Sequence, residues 1–164
     1  MKQQLLDATK ALRTLRKTPI ILEAVLAELI HGQTRIQDVQ ADGWNIVDIV
    51  GHLREYEAVV GERVRLMLAH DHPMLPVTGE HGSKPSNADA SAHLRMMLSE
   101  LRAERQRLLN LLEQLRDDQW LRTGVHPRQG AATVLDVALN AGLHDIDHIE
   151  QIVQCLTRPL SFGS

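Results

Sequence analysis

Apolar residues recur along this chain at the three- and four-residue spacing of amphipathic helices, rather than at the alternate positions of strands. The pattern covers four stretches, at residues 2–30, 45–70, 86–116 and 133–156. Each stretch has one apolar stripe, and four such helices bury their stripes most simply against one another. The sequence therefore predicts an all-α protein with the architecture of a four-helix bundle.

Three of the predicted helices begin with a residue type that caps helix N-termini, followed three positions later by an aspartate. The pairs are Asn45 with Asp48, Ser86 with Asp89, and Thr133 with Asp136. The first stretch is different because Thr18-Pro19 interrupts it. Either one helix kinks there, or a second helix begins with Thr18 as its cap and Pro19 at its first position.

Long polar connections, at residues 71–85 and 117–132, separate the later helices. Connections longer than about 12 residues are uncommon in compact domains unless they serve a site or a particular topology. We therefore expect that not all helices adjacent in sequence run antiparallel.

Composition narrows the class of protein. The 164 residues are enough for a single domain with a substantial core, and the formal net charge of −3 argues against nucleic acid as a partner. No apolar run approaches the roughly 20 residues of a membrane-spanning helix, and the N-terminus has no signal-peptide pattern. The single cysteine, Cys155, excludes an internal disulfide and fits a reducing compartment, so we expect a cytoplasmic protein.

Nine histidines are many for a chain of this size, and three of them suggest a metal site. His144 and His148 lie one turn apart on the last helix, with Cβ atoms roughly 5–6 Å apart, so both rings can reach one ion. An isolated pair at this spacing is more often solvated. His52 occupies a matching edge of the second helix and can supply a third ligand. Three imidazoles with open positions favour a catalytic divalent ion, zinc or nickel before iron.

Other polar residues lie close to these histidines on the same two helices. Glu57 and Asp145 fall within apolar arcs, where an unpaired charge is costly. Each carboxylate could accept the second ring N–H of a ligating histidine, or form a buried ion pair with an arginine such as Arg63. Tyr56 and Arg63 are candidates for the wall of a cleft, although core packing is an equal alternative for Tyr56. We expect His126 to be a structural loop residue rather than a fourth ligand.

Taken together, these residues resemble the DinB/YfiT-like superfamily. The resemblance rests on WNIVDIVGHL at residues 44–53, on Glu57 and Arg63, on His126 to Gly130, and on the histidines at 144 and 148 with Gln151. It implies an up-down-down-up bundle, a divalent metal held by the residues matching His52, His144 and His148, and a homodimer. Characterised relatives include bacillithiol S-transferases and mycothiol-dependent maleylpyruvate isomerases.

The expected function is therefore a metal-dependent enzyme that acts on a small molecule, either a thiol S-transferase or a hydrolase. A low-molecular-weight thiol is one candidate co-substrate, and nothing in the motif selects it over water. The alternative is a non-catalytic, stress-related bundle protein that binds a metal or a small ligand. A ferritin-like carboxylate site is disfavoured, because neither His52 nor His144 has a glutamate three positions before it.

Overall fold

The computed structural model describes residues 2–31, 43–78 and 90–157. Four long helices of 24 residues each dominate it, which confirms the predicted all-α bundle. In chain order the helices are α1 (Lys2–Val25), the short α2 (Ala27–Ile30), α3 (Ile46–Ala69), α4 (Ala90–Glu113) and α5 (Val134–Thr157).

Two of the predicted helix starts are confirmed by their cap hydrogen bonds. Before α3, the backbone N–H of Asp48 donates to the Asn45 side chain over 3.0 Å, and Asn45 N–H donates to the Asp48 carboxylate over 3.2 Å. Thr133 and Asp136 make the same reciprocal pair before α5. The third predicted start, at Ser86 and Asp89, lies outside the described residues.

The structure answers the question raised by Thr18-Pro19. Helix α1 continues through Pro19 to Val25, so no new helix begins at this point. The Thr18 hydroxyl does not cap a helix but is buried in the bundle, where it donates to Asp145. The end of α4 also differs from the expected one, since this helix stops at Glu113, three residues before the predicted end at 116.

Contacts between the middle helices give their relative direction. Arg54 of α3 pairs with Glu100 of α4, and further along both helices Glu57 pairs with Arg105. Residue numbers rise together, so α3 and α4 are parallel. The first and last helices are parallel as well, because Thr14 faces Gly142 and Thr18 contacts Asp145.

The other two contacting pairs are antiparallel. Trp44, just before α3, meets Cys155 of α5, and His52 further along α3 meets the earlier residue His144. The ion pairs of α1 with α4 are likewise reversed, as Arg16 meets Glu113 and Glu23 meets Arg102. The four helices therefore run up, down, down, up. The parallel step from α3 to α4 requires the chain to return along a helix of about 36 Å, which accounts for the long connection between them.

A small antiparallel hairpin, which the sequence pattern did not indicate, precedes α5. A 3₁₀ turn at Gln119–Leu121 leads into β1 (Thr123–His126), which pairs with β2 (Gly130–Thr133). The segment after α3 joins this hairpin, because Leu75 N–H donates to Val125 O over 2.9 Å. Gly124 allows the close approach, since a Cβ there would lie 2.6 Å from the Leu75 side chain. The hairpin thus ties the end of α3 to the start of α5.

The apolar core is divided into two clusters, one toward each end of the bundle. One contains Leu15, Val64, Leu108 and Ala138, and the other contains Leu26, Leu53, Leu98 and Ile152. Four buried polar residues that contact one another lie between them: Thr18, Glu57, Arg105 and Asp145. Across the described ranges, none of the helices combines the length and apolar character that crossing a bilayer requires.

Candidate metal centre

Three histidine rings face one another in the layer between the two apolar clusters. His52 comes from α3, and His144 and His148 come from successive turns of α5. One ring nitrogen from each lies within 4.8 Å of the other two. The Nε2 atoms of His52 and His144 are 3.0 Å apart, and the ring centroids are separated by 4.5 to 5.0 Å. The structure thus brings together the three histidines that the sequence suggested.

Aromatic neighbours hold these rings in place. The Tyr56 ring stacks on His144 with centroids 3.7 Å apart. Trp44 meets His52 edge-on at 4.9 Å and lies nearly parallel to His148 at 6.1 Å. Two of the chain's four phenylalanine, tyrosine and tryptophan residues are therefore at this site. Packing against rigid rings restricts the orientations that each imidazole can adopt.

Hydrogen bonding defines which nitrogen of His148 is available. Its Nδ1 lies 2.8 Å from the amide oxygen of Gln151, which can only accept. Nδ1 therefore carries the proton, and Nε2 keeps a lone pair for the centre of the site. Metal-bound histidines usually have such an acceptor on the second ring nitrogen. Sequence reasoning assigned no role to Gln151, although its position one turn after His148 offered a signal.

The electrostatics of the site favour neutral rings. Burial, reinforced by the positive charge that His148 would carry, lowers the pKa of His52 to about 4. Burial and the charges of His148, His52 and Arg63 lower the pKa of His144 to about 3. Metal-binding imidazoles must be neutral, and these two rings are neutral at pH 7.

The donor set fits a divalent cation. Two nitrogens bound tetrahedrally at 2.0–2.1 Å from zinc lie about 3.3 Å apart, which is close to the 3.0 Å between the Nε2 atoms of His52 and His144. Nδ1 of His144 is buried and has no hydrogen-bond partner among the described residues, so this ring differs from His148, whose second nitrogen is paired with Gln151. Three imidazoles leave coordination positions open, and imidazole is a ligand of zinc, nickel and iron.

Glu57 and Asp145 are not hydrogen-bonded to these histidines. Both accept from Arg105, which is 3 % exposed, and both Glu57 contacts are 2.6 Å long. Of the two arrangements that the sequence left open, the structure has the buried ion pair. The arginine that pairs with Glu57 and Asp145 is Arg105 and not Arg63. Burial lowers the pKa of Arg105, but the hydrogen bonds and charge of Glu57 and the charge of Asp145 outweigh burial and raise it.

A cleft of about 750 Å³ opens beside His144. Its wall includes both sequence candidates, Tyr56 and Arg63, together with His126 and Arg128 of the hairpin. His126 is buried, and its Nδ1 accepts from the backbone N–H groups of Arg128 and Gln129 at 3.2 and 3.3 Å. His126 therefore shapes the hairpin loop, and it is not part of the group of histidines that could hold an ion.

Comparisons with known proteins agree with this fold. A family model of the DinB superfamily matches residues 5–152. Among solved structures, a similar one is that of YfiT from Bacillus subtilis, described as a probable metal-dependent hydrolase with an unusual four-helix bundle topology. The two chains are 22 % identical, the match covers 90 % of this chain and 85 % of YfiT, and the TM-score is 0.75. At this identity the likeness shows the fold alone. A comparison with curated proteins gives no significant match. Because the family model spans most of its length, the chain belongs to the DinB superfamily.

Proposed function

We propose that this protein is a metal-dependent hydrolase of small molecules, with a divalent cation held by His52, His144 and His148. One observation carries the proposal: three imidazoles from two helices converge beside a cleft, with their nitrogens within 4.8 Å of one another. The Nε2 atoms of His52 and His144 lie 3.0 Å apart, a separation close to that of two nitrogens bound to one ion.

The surrounding residues support binding of a small substrate. The cleft volume of about 750 Å³ lies in the range of small-molecule sites. Burial raises the pKa of Tyr56, with the Arg63 charge opposing it, so the phenol stays protonated at neutral pH. Tyr56 can therefore donate a hydrogen bond from the cleft wall, next to the His144 ring on which it stacks. Gln151 keeps His148 in the tautomer that leaves Nε2 unprotonated.

A divalent cation held by His52, His144 and His148 would supply Lewis-acid chemistry, which polarises a substrate oxygen or lowers the pKa of a bound water or thiol. Water as the nucleophile gives hydrolysis, and a low-molecular-weight thiol gives S-transfer. The hydrolase reading has the additional support of YfiT, which is described as a probable metal-dependent hydrolase. Zinc and nickel fit the three imidazoles best, with iron as a weaker candidate.

The first test measures metal content. Purified protein should contain close to one divalent ion per chain by elemental analysis, and His144→Ala should lose most of it. His70→Ala is the matched control, because His70 is an exposed histidine at the end of α3. Equal metal content in wild type and His144→Ala would refute the proposed site.

A second test separates the reaction classes. Metal-loaded and chelator-treated protein are incubated with small esters and amides, with and without an added thiol, and the products are identified by mass spectrometry. Turnover without thiol supports the hydrolase, and turnover only with thiol supports the transferase. A fully loaded protein that turns over none of these substrates would favour the non-catalytic binding protein.

We also propose that the protein is a homodimer. Apolar residues on the outer face of α5 support this, since Ile146 and Val153, two turns apart, are 46 % and 39 % exposed. Light scattering on wild type and on Ile146→Glu tests it. A dimer that the substitution dissociates supports the proposal, and a monomeric wild type contradicts it.

A further inference from the structure

Arg63 is a buried cation in the cleft wall, and no carboxylate of the described residues pairs with it. The side chain is 7 % exposed, and its Nε donates to the backbone oxygen of Pro76 over 2.8 Å. None of the carboxylates in the described ranges forms an ion pair with it. Burying an arginine without an opposite charge is costly. Arg105, in the same bundle, shows the usual solution, with two carboxylates on its guanidinium.

The Arg63 side chain folds back toward the histidines. Its Cα lies two turns beyond that of Tyr56 on α3, about 10 Å along the helix axis. The guanidinium carbon is nevertheless only 5.7 Å from the centre of the Tyr56 ring, and the same ring stacks on His144. Tyr56 therefore contacts both the cation and one of the three histidines. A small molecule in the cleft can reach Arg63 and the histidine site together.

The other charges of the cleft do not neutralise Arg63. Asp136 lines the cleft but accepts hydrogen bonds from the Thr133 backbone and hydroxyl at the start of α5. Asp147 is exposed, and Arg128 adds a second positive charge at the exposed rim. The buried part of the wall is consequently cationic.

We propose that Arg63 binds a carboxylate of the substrate, so that the protein acts on small carboxylic acids whose reacting bond lies at the histidine site. Nε donates to Pro76 and the guanidinium also hydrogen-bonds the neutral Tyr56 hydroxyl, while the paired N–H groups of its terminal nitrogens match the two oxygens of a carboxylate, a stronger, charged acceptor. The position of the reacting bond rests on the proposed function, whereas binding of the carboxylate does not require a metal.

The test uses the full-length, metal-free protein, because a carboxylate could otherwise bind the metal itself. Benzoate and its neutral analogue benzamide are titrated at pH 7.5, and binding is followed by NMR of the arginine Nε–Hε signals. Benzoate should bind at least about tenfold more tightly than benzamide, since charged hydrogen bonds are lost with the amide. The Arg63 signal should shift with benzoate.

Variants test whether the preference for benzoate depends on the Arg63 side chain. Arg63→Gln should abolish the preference for benzoate, and Arg63→Lys should keep only part of it because lysine lacks the paired donors. Arg65→Gln is the matched control, two residues along the same helix and half exposed, and should bind as wild type does. If Arg63→Gln does not fold, the wild-type Arg63 signal and Arg63→Lys decide the question.

Three results would overturn the assignment: equal binding of benzoate and benzamide, no measurable binding of benzoate, or an unchanged preference in a folded Arg63 variant. The outcome is independent of the metal proposal. A His144→Ala protein that has lost its metal should still prefer benzoate to benzamide. That result would show that the preference depends on Arg63 and not on a bound metal.

Discussion

Two polar clusters occupy the same central layer of the bundle and differ in how completely their groups are paired. They are neighbours in the chain, since His144 belongs to one and Asp145 to the other. In the first, three histidines present nitrogens to one another beside a cleft. In the second, Arg105 directs its guanidinium at groups from the other three long helices. Its partners are Glu57 on α3, Asp145 on α5, and Leu15 O and Thr18 on α1.

In the second cluster every N–H donor of Arg105 is already hydrogen-bonded. A guanidinium has five N–H groups, and Arg105 makes five hydrogen bonds, of 2.6 to 3.0 Å. A saturated group of this kind fixes the register of four helices and has nothing left for a ligand. The three histidines, in contrast, direct ring nitrogens at one another, and Nδ1 of His144 has no hydrogen-bond partner among the described residues. Incomplete hydrogen bonding therefore distinguishes the candidate metal centre from the structural cluster.

Removal of Arg105 should give the largest effect on stability. Arg105→Met leaves two buried carboxylates without a cation, and loss of one member of a buried ion pair typically costs about 3–5 kcal/mol. The measurement is urea unfolding of the metal-free protein. Arg107→Met, on the same helix but exposed, should change the free energy of unfolding by less than about 1 kcal/mol. Similar losses in the two variants would contradict the structural role of the Arg105 cluster.

Removal of His52 should affect metal binding instead. His52→Ala takes away one of three proposed ligands, so zinc affinity should fall by more than the roughly hundredfold that loss of an outer hydrogen bond costs. Zinc titration against a competing chelator measures this affinity, with His70→Ala as the control. The unfolding free energy of the metal-free protein should fall far less than in Arg105→Met. A large loss of stability with unchanged zinc affinity would reverse our assignment of the two clusters.

Gln151 provides a finer test of the histidine site. Gln151→Leu removes the acceptor of His148 Nδ1–H, and zinc affinity should fall by about 10- to 100-fold because the ring loses its fixed tautomer. Gln154→Leu, an exposed glutamine on the same helix, should bind zinc as wild type does. Equal affinities for the two variants would show that the Gln151 hydrogen bond does not orient a ligand.

The same two histidines should also give the metal-free protein a pH-dependent stability. His52 and His144 have folded-state pKa values of about 4 and about 3, against about 6.5 in the unfolded chain. Between these values the unfolded state binds more protons, so stability should fall as the pH drops below about 6.5. Urea midpoints from pH 7.5 to 5 measure this slope. A double variant, His52→Gln with His144→Gln, should flatten it, and an unchanged slope would assign the effect to other groups.

The helices and their starts were predictable because their signals are local. Capping at Asn45 and Thr133 depends on residues three positions away, and the apolar spacing of α5 fixes which face is buried. The pairing of His144 with His148 is local in the same sense, because one helical turn separates them. The position of Arg105 also carried a signal, since it stands between Leu101 and Leu108 in the leucine stripe of α4. A charge there indicates a buried partner.

Only the tertiary structure determined which side chains of neighbouring helices contact one another. Sequence spacing placed Glu57 and Asp145 on buried faces, but their partner depended on the register of α4, which runs parallel to α3 and brings Arg105 to their level. The hairpin before α5 likewise depends on contact with the segment after α3. Short-range spacing determines the face on which a side chain lies. The direction and register of neighbouring helices determine which group that side chain meets, and whether it is saturated or left to bind a ligand.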